Sequence, residues 1–517
     1  MSEFTFTLPG EAAATADGAA DLHAQGVRAF DSGDARTAAS LLAKAVAARP
    51  DDAALRADLG NALEATGDYE GARAAYGAAA GLAPENPVYR FNLGAACQAL
   101  GLAHEAAQHY VDAIELEPLL AEAYFNLGML FFDAGHPDIA VQHYRNALTA
   151  RPTYAEAAGN LGLTYRRMGD LAQSLEWYRA ALGLRPDLPV SHLNLGIVLG
   201  ECDRHEEAVQ AYGQALALDP RYAPARVNMS LSLRALGRPE EAAEEALRAL
   251  ESSPDLTAAH VELGSAAAAL QRAGQGQKVN GLLARWRLVA GDHPVLRHAA
   301  ASLGLEKAPD RADDAYVAQL FDASARRFDE MIRGLGYRVP ALVQEALASF
   351  VGAPSAALDV LDAGCGTGLA AEALRPYART LAGIDLSASM LEQAARRRLY
   401  DELEQAELTG WLQGRPAAFD LAVLGDVLCY FGDLAPPLAA LAGTLRPGGT
   451  AILTVEAADP WAPPFTLRES GRYCHRRDYL DQTLRAAGLQ AVELRQTTLR
   501  HEGGQPVEGI LAVARKA

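Results

Sequence analysis

A chain of 517 residues is too long for a single hydrophobic core, so two or more domains are expected. Half of its residues are hydrophobic, and a formal net charge of −19 opposes attraction to phosphate backbones, which disfavours nucleic acid as a partner. Cys97, Cys202, Cys365, Cys429 and Cys474 stand singly, without the close pairs of a zinc knuckle or a redox dithiol, so the expectation is buried thiols in a reducing compartment and no metal site. Residues 1–18 read as a flexible tail. Met1 to Gly10 have neither the basic start nor the apolar stretch of a signal peptide, and no later segment reaches the ~18 to 20 apolar residues of a membrane span. A cytoplasmic location is expected.

Prolines then recur every 34 residues at Pro50, Pro84, Pro118, Pro152, Pro186, Pro220 and Pro254, a period that marks a stacked repeat. Small residues keep the same interval at Gly26, Gly60, Gly94, Gly128, Gly162, Gly196, Ser230 and Gly264, where two antiparallel helices must approach closely. Turn residues follow at Gly33, Gly67, Gly101, Gly135, Gly169, Asp203 and Gly237. Tyr76, Tyr110, Tyr144, Tyr178 and Tyr212 stand four residues after a small residue, an inner stripe for each second helix. The pattern resembles the tetratricopeptide repeat and predicts an α solenoid over 19–290, with seven good repeats and a degenerate eighth. That eighth unit has Leu288 where proline is due and Gln275-Gly276-Gln277 in its second helix, as a polar terminal cap would.

One column exceeds what packing requires. Asn92, Asn126, Asn160, Asn194 and Asn228 hold the same position in consecutive units, on the helix face that lines the concave groove of such arrays. An amide both donates and accepts, so a ladder of them can grip the backbone of an extended protein or peptide segment. The column resembles the asparagine ladder of O-linked N-acetylglucosamine transferases; the alternative is that these side chains merely bond neighbouring helix turns. Phe91, Phe125, Phe132, Arg166, Arg167 and Arg234 line the same groove by register, either as recognition anchors or as an ordinary packed and solvated face.

The period dissolves over 291–312, read as a short helix and a linker, and a new domain is expected over 313–517. Tyr316 to Ala348 has helical spacing. Strands and helices then alternate: strands at Leu358 to Asp362, Thr380 to Asp385, Phe419 to Leu424 and Gly449 to Glu456, with helices from Gly368, Ser387 and Leu434. This order predicts an α/β doubly wound parallel sheet. Leu489 to Leu499 and Pro506 to Ala514 add a terminal antiparallel hairpin around His501-Glu502-Gly503-Gly504.

The loop after the first of these strands is Asp362-Ala363-Gly364-Cys365-Gly366-Thr367-Gly368, and Asp385 ends the second strand seventeen residues later. A dinucleotide fold would have its third glycine one place further on. With the spaced acid and the hairpin, the domain resembles the class I S-adenosylmethionine-dependent methyltransferases. The resemblance implies S-adenosyl-L-methionine as cofactor, held by Asp362, Gly364, Gly366, Gly368, Asp385 and Glu407. Asp362 would meet the amino group, Asp385 the ribose hydroxyls and Glu407 the adenine amine. Asp426, in Gly425-Asp426-Val427-Leu428, would border the transferred methyl. No Asn-Pro-Pro-Tyr tetrapeptide follows the fourth strand, which argues against the amino-group enzymes of DNA and of glutamine side chains, and no Pro-Cys nucleophile stands there, which argues against cytosine C5 chemistry; the acceptor atom, O, N or C, stays open, and Cys429 reads as packing. His475 is a candidate base or a helix cap, Tyr430 and Tyr473 could close the acceptor pocket, and Arg472 would suit an acidic acceptor. Tyr316, Phe328 and Tyr337 could form a lid, or simply core.

The whole resembles bacterial predicted methyltransferases that carry tetratricopeptide repeats. The expected function is S-adenosylmethionine-dependent methyl transfer, with the repeats recruiting a protein or peptide. The rivals are a small-molecule or carbohydrate methyltransferase whose repeats serve assembly only, and a non-catalytic scaffold with a relic methyltransferase fold.

Overall fold

A computed structural model describes residues 16–325 and 328–517, so the predicted tail lies outside the described residues up to position 15, and a helix already begins at Ala16. The chain forms two compact units, residues 1–220 and 221–517.

In the first unit, six antiparallel helix pairs run from Ala16 to Leu218. Acidic residues start many of the helices. Asp52 Oδ1 accepts from the backbone N–H of Ala54 and Leu55, both at 3.1 Å, and so satisfies amides that have no partner inside the helix. The periodic prolines stand two residues past the second helix of each pair, as with Pro84 after Tyr69–Leu82, where a missing N–H cannot continue the helix. The small-residue column has a steric cause. A methyl group added at Gly60, Gly128 or Gly196 would lie 2.4 to 2.5 Å from the ring of Tyr76, Tyr144 or Tyr212. Those rings are buried against the partner helix, which fixes the pairing within each repeat.

The second unit opens with the last four repeat helices, Ala223–Ala235, Pro239–Ser252, Thr257–Arg272 and Gly276–Ala290. The eighth pair is not a bare terminal cap. Helix Thr257–Arg272 is packed by Pro294–Ser302 and Asp314–Ser324, because Ala259, Ala266 and Ala267 give it a fully buried small-residue face. The buried Trp286 donates from Nε1 to His260 Nδ1 at 2.8 Å, and His260 stacks on His293 at 3.6 Å. The segment after this helix is anchored too, since the N–H groups of Gly432 and Asp433 both donate to Asp310 O at 2.8 Å.

Among the described residues, the stretch Tyr316 to Ala348 holds helices Asp314–Ser324, Phe328–Gly334 and Val339–Ala346, with a break between the last two. Gly336 takes a left-handed φ of 60° and Pro340 occupies a first turn, and both interrupt the helical run. A nine-stranded sheet follows: β1 Leu358–Ala363, β2 Ala378–Asp385, β3 Glu402–Gln405, β4 Phe419–Leu424, β5 Leu445–Ala457, β6 Phe465–Leu467, β7 Tyr473–His475, β8 Leu489–Glu502 and β9 Gln505–Lys516. Its order is β3-β2-β1-β4-β5-β7-β6, parallel from β3 to β5, with β9 antiparallel to β5 and to β8. The small β6–β7 hairpin is absent from the sequence reading. Strand order reverses between β1 and β4, the place where open α/β sheets bind ligands.

Candidate functional site

A cavity of about 560 Å³ opens at that reversal point, beyond the carboxyl ends of β1, β2 and β4. The size suits a cofactor and an acceptor.

The glycine loop forms its floor. Gly364 has φ 73°, and a methyl group there would sit 2.3 Å from Val427, so the loop can lie against the segment after β4 only with glycine. Gly366, at φ 54°, would bring an added methyl within 4 Å of nothing, so a ligand can come close to its backbone. Asp385 braces this loop. Its Oδ2 accepts from Gly366 N–H and its Oδ1 from Ser387 N–H, each at 2.9 Å. Desolvation raises its carboxyl above the ordinary value against those bonds. Asp362, 3 % exposed, accepts from the Tyr400 hydroxyl at 2.6 Å. Burial pushes Asp362 up to about 6, and the nearby charge of Asp385 adds to the effect. Asp362, Asp385, Gly364 and Gly366 line one cavity, whereas Gly368 does not line it and faces Tyr400 and Arg397, which an added methyl group would meet at 3.0 and 3.1 Å.

Glu407 also lines the cavity, and it caps helix Leu408–Gln413 by accepting from Thr409 N–H at 3.0 Å and Gly410 N–H at 2.7 Å. Arg311 pairs with it at 2.6 Å. Burial alone would raise this carboxyl, but the backbone donors and the guanidinium hold it below the ordinary value.

Asp426 lines the cavity with a left-handed φ of 60°, and both its oxygens accept from Arg500 Nη1, at 3.1 and 3.2 Å. Arg500 is 1 % exposed and also bonds Glu456 and Glu502. Arg472 donates from Nη1 to Glu502. Nothing local in the sequence marks this cluster, because Arg500 lies 74 positions from Asp426. Tyr430 and Tyr337 line the cavity, with burial raising both hydroxyls well beyond their usual range.

The structure does not bring His475 to the cavity. It is fully buried in β7, its Nε2 lies 2.8 Å from Phe431 O, and burial pushes it down to about 4. A short strand turns the side chain into the packing, so it neither caps the next helix nor meets an acceptor. Tyr473 is also buried, donating to Pro309 O at 2.7 Å. Of the candidate lid residues, Phe328 and Tyr337 line the cavity, whereas Tyr316 stacks on His298 at 4.0 Å. Val227, Leu231, Ala258 and Val261 of the repeat helices are lining residues that the sequence reading missed, since their spacing is that of any amphipathic helix.

The asparagine column divides. Asn126 Nδ2 donates to the Tyr110 hydroxyl of the preceding repeat at 3.1 Å, and Asn228 Nδ2 donates to Pro224 O in its own helix at 2.8 Å. The half-buried Asn92, Asn160 and Asn194 make no side-chain hydrogen bond among the described residues. Several of the groove candidates are engaged within the array: Arg166 pairs with Glu201 at 2.7 Å, Arg167 lies 4.7 Å over the Phe132 ring, and Phe125 packs 5.1 Å from Tyr154.

Residues 331–494 match the family described as a methyltransferase domain, and residues 29–97, 125–189, 193–257 and 227–276 match tetratricopeptide repeat families. The chain carries a methyltransferase domain after tetratricopeptide repeats. Relatives of the methyltransferase domain include a ubiquinone biosynthesis O-methyltransferase of Thiobacillus denitrificans, 36 % identical over 19 % of this chain and 44 % of the relative. A trans-aconitate 2-methyltransferase of Pseudomonas aeruginosa is 42 % identical over 17 % of this chain and 33 % of the relative. A malonyl-[acyl-carrier protein] O-methyltransferase of Serratia marcescens is 28 % identical over 30 % of this chain and 58 % of the relative. The chain thus spans a third to three fifths of these relatives' lengths. Among the described residues no helix is long and apolar enough to cross a membrane.

Proposed function

We propose that the methyltransferase domain uses S-adenosylmethionine to methylate an acceptor held in the cavity. The observation that carries this reading is the pair of carboxylates, buried Asp362 and half-buried Asp385, on either side of a glycine loop whose Gly366 opens on free space. The donor set fits. Asp362 would take the cofactor's amino group, a cation that would offset the cost of burying its charge. Asp385 keeps a lone pair on each oxygen for the ribose hydroxyls, the Gly364–Gly368 loop would follow the methionine and ribose, and Glu407, which lines the same cavity, would meet the adenine amine. When bound, the cofactor supplies a methyl group on a sulfonium, already a good electrophile. The protein's part is to orient the acceptor and exclude water, which the apolar walls around Phe321, Phe328 and Ile332 suit.

The relatives' activities, on trans-aconitate, on malonyl-[acyl-carrier protein] and in ubiquinone biosynthesis, favour a small-molecule or acyl acceptor. Recruitment of a protein or peptide by the array is the second reading, supported by the shared register and unpartnered amides of Asn92, Asn160 and Asn194.

Titration calorimetry tests the first reading. S-adenosylhomocysteine should bind one site per chain, and Asp385→Ala should weaken it about tenfold or more, since a lost hydrogen bond to a charged group costs ~1.5 to 3 kcal/mol. No binding by the folded wild type would sink the proposal.

A further inference from the structure

The ionisable groups around the cavity are almost all engaged. Asp426 is held by Arg500, Glu407 and Asp314 by Arg311, and Glu262 by Arg234 at 3.2 Å. Asp362 and Asp385 belong to the cofactor loop. Among the described residues no histidine or lysine lines the cavity. An alcohol, phenol or ammonium acceptor must lose a proton to become a nucleophile, and each carboxylate that could receive it is either held by a guanidinium or set beside the glycine loop. An acceptor that is already an anion at neutral pH needs no base.

One cation keeps unpartnered donors. Arg472 lines the cavity with its side chain 26 % exposed. Nη1 donates to Glu502, while Nε and Nη2 have no hydrogen-bond partner among the described residues. Around it, Arg468, Arg472 and Arg500 face Asp426, Glu456 and Glu502, so the cluster is neutral overall. An incoming anion would therefore be held by vacant N–H groups rather than by excess charge, and a planar guanidinium matches a carboxylate.

The rest of the cavity is apolar and incompletely covered. Leu231 of helix Ala223–Ala235 is 44 % exposed and Met331 of helix Phe328–Gly334 is 50 % exposed, and both line it beside Val227 and Val261. Uncovered apolar side chains in a concave wall mark where an apolar ligand body lies.

Building on the methyl-transfer reading, we propose that the acceptor is a carboxylic acid with an apolar body, its carboxylate on Arg472 and its body against the wall formed by the seventh and eighth repeats. One carboxylate oxygen forms the new bond to the methyl carbon as the methyl–sulfur bond breaks, and the bonding pair leaves with sulfur. The products are a methyl ester and S-adenosylhomocysteine, and no proton moves. The repeats are then part of the acceptor site.

The test combines the full-length protein, S-adenosylmethionine labelled in its methyl group, and an extract of the parent organism. Mild alkali hydrolyses methyl esters to volatile labelled methanol and leaves ethers, methylamines and C-methyl products intact. Most of the label should be released. Arg472→Gln should reduce the alkali-labile label about tenfold, the loss of a charge-assisted bond, and Arg472→Lys should restore part of it. Leu231→Asp, at an exposed position, should also reduce it. Calorimetry should find S-adenosylhomocysteine binding unchanged in all three variants. Alkali-stable label, full activity in Arg472→Gln or Leu231→Asp, or no label despite intact S-adenosylhomocysteine binding would each overturn the carboxylate proposal. Failure to bind S-adenosylhomocysteine would instead remove the methyl-transfer reading beneath it.

Discussion

Asp362 holds its carboxyl where little water reaches it, 3 % exposed. Its folded carboxyl titrates at about 6, raised by burial from an ordinary value of 3.8. The folded state therefore holds this proton more tightly than the unfolded chain does. The destabilisation is absent below about pH 4, grows as pH rises through about 6, and is complete above it, reaching roughly 3 kcal/mol at 1.36 kcal/mol per unit. Asp362→Asn should match the wild type in denaturant stability at pH 4 and exceed it by up to ~3 kcal/mol at pH 7.5, with saturating S-adenosylhomocysteine narrowing the gap. His475 has the opposite sign. Burial pushes it down to about 4, so its neutral form favours folding at neutral pH and that contribution is lost as pH falls from about 6.5 toward 4. His475→Ala should lower the melting temperature and leave the pH profile of turnover unshifted. Asp362 and Asp385 could be read from the chain because a short spacing fixes both at strand ends. His475 could not be placed, because the three residues of β7 are too few to carry a period.

At the scale of elements, the repeat column separates packing from surface. Asn126 ties one repeat to the hydroxyl of Tyr110 in the repeat before it, whereas Asn160 and Asn194 leave their amides free among the described residues. Asn126→Ala should cost about 1 kcal/mol of thermal stability. An Asn160→Ala, Asn194→Ala double variant should melt within a few tenths of a kcal/mol of the wild type. Equal losses in both would make the column structural throughout. The 34-residue interval was plain in the sequence because five consecutive units, at Gly60, Gly94, Gly128, Gly162 and Gly196, repeat one steric problem, a helix that must fit a tyrosine ring. Strand β3 was faint for the converse reason. Four residues at the sheet edge, Glu402–Gln405, are half-buried or exposed and show no apolar alternation.

Across the whole molecule, the residues lining the cavity run from Val227 to Arg500, all inside the unit 221–517. A boundary drawn where the proline period fades, at 313, leaves Val227, Leu231 and Val261 behind. Residues 221–517 expressed alone should fold and bind S-adenosylhomocysteine with the affinity of the full chain. Residues 313–517 should expose the faces of Asp314–Ser324 that the eighth repeat covers, and bind more weakly or aggregate; calorimetry and sedimentation distinguish the two. Fold class was legible in the chain because repeat period and strand alternation are local. The composition of the cavity was not, because lining residues such as Asp426 and Arg500 meet across 74 positions.

The wall supplied by the last repeats also bears on inheritance. Arrays of equal units gain and lose members by unequal recombination, and a unit lost before Arg221 removes no residue of the cavity. A unit lost after it alters the reaction chamber. Descendants of this gene are expected to differ in length by multiples of 34 residues upstream of position 221, while the seventh and eighth units descend with the catalytic sheet as one block.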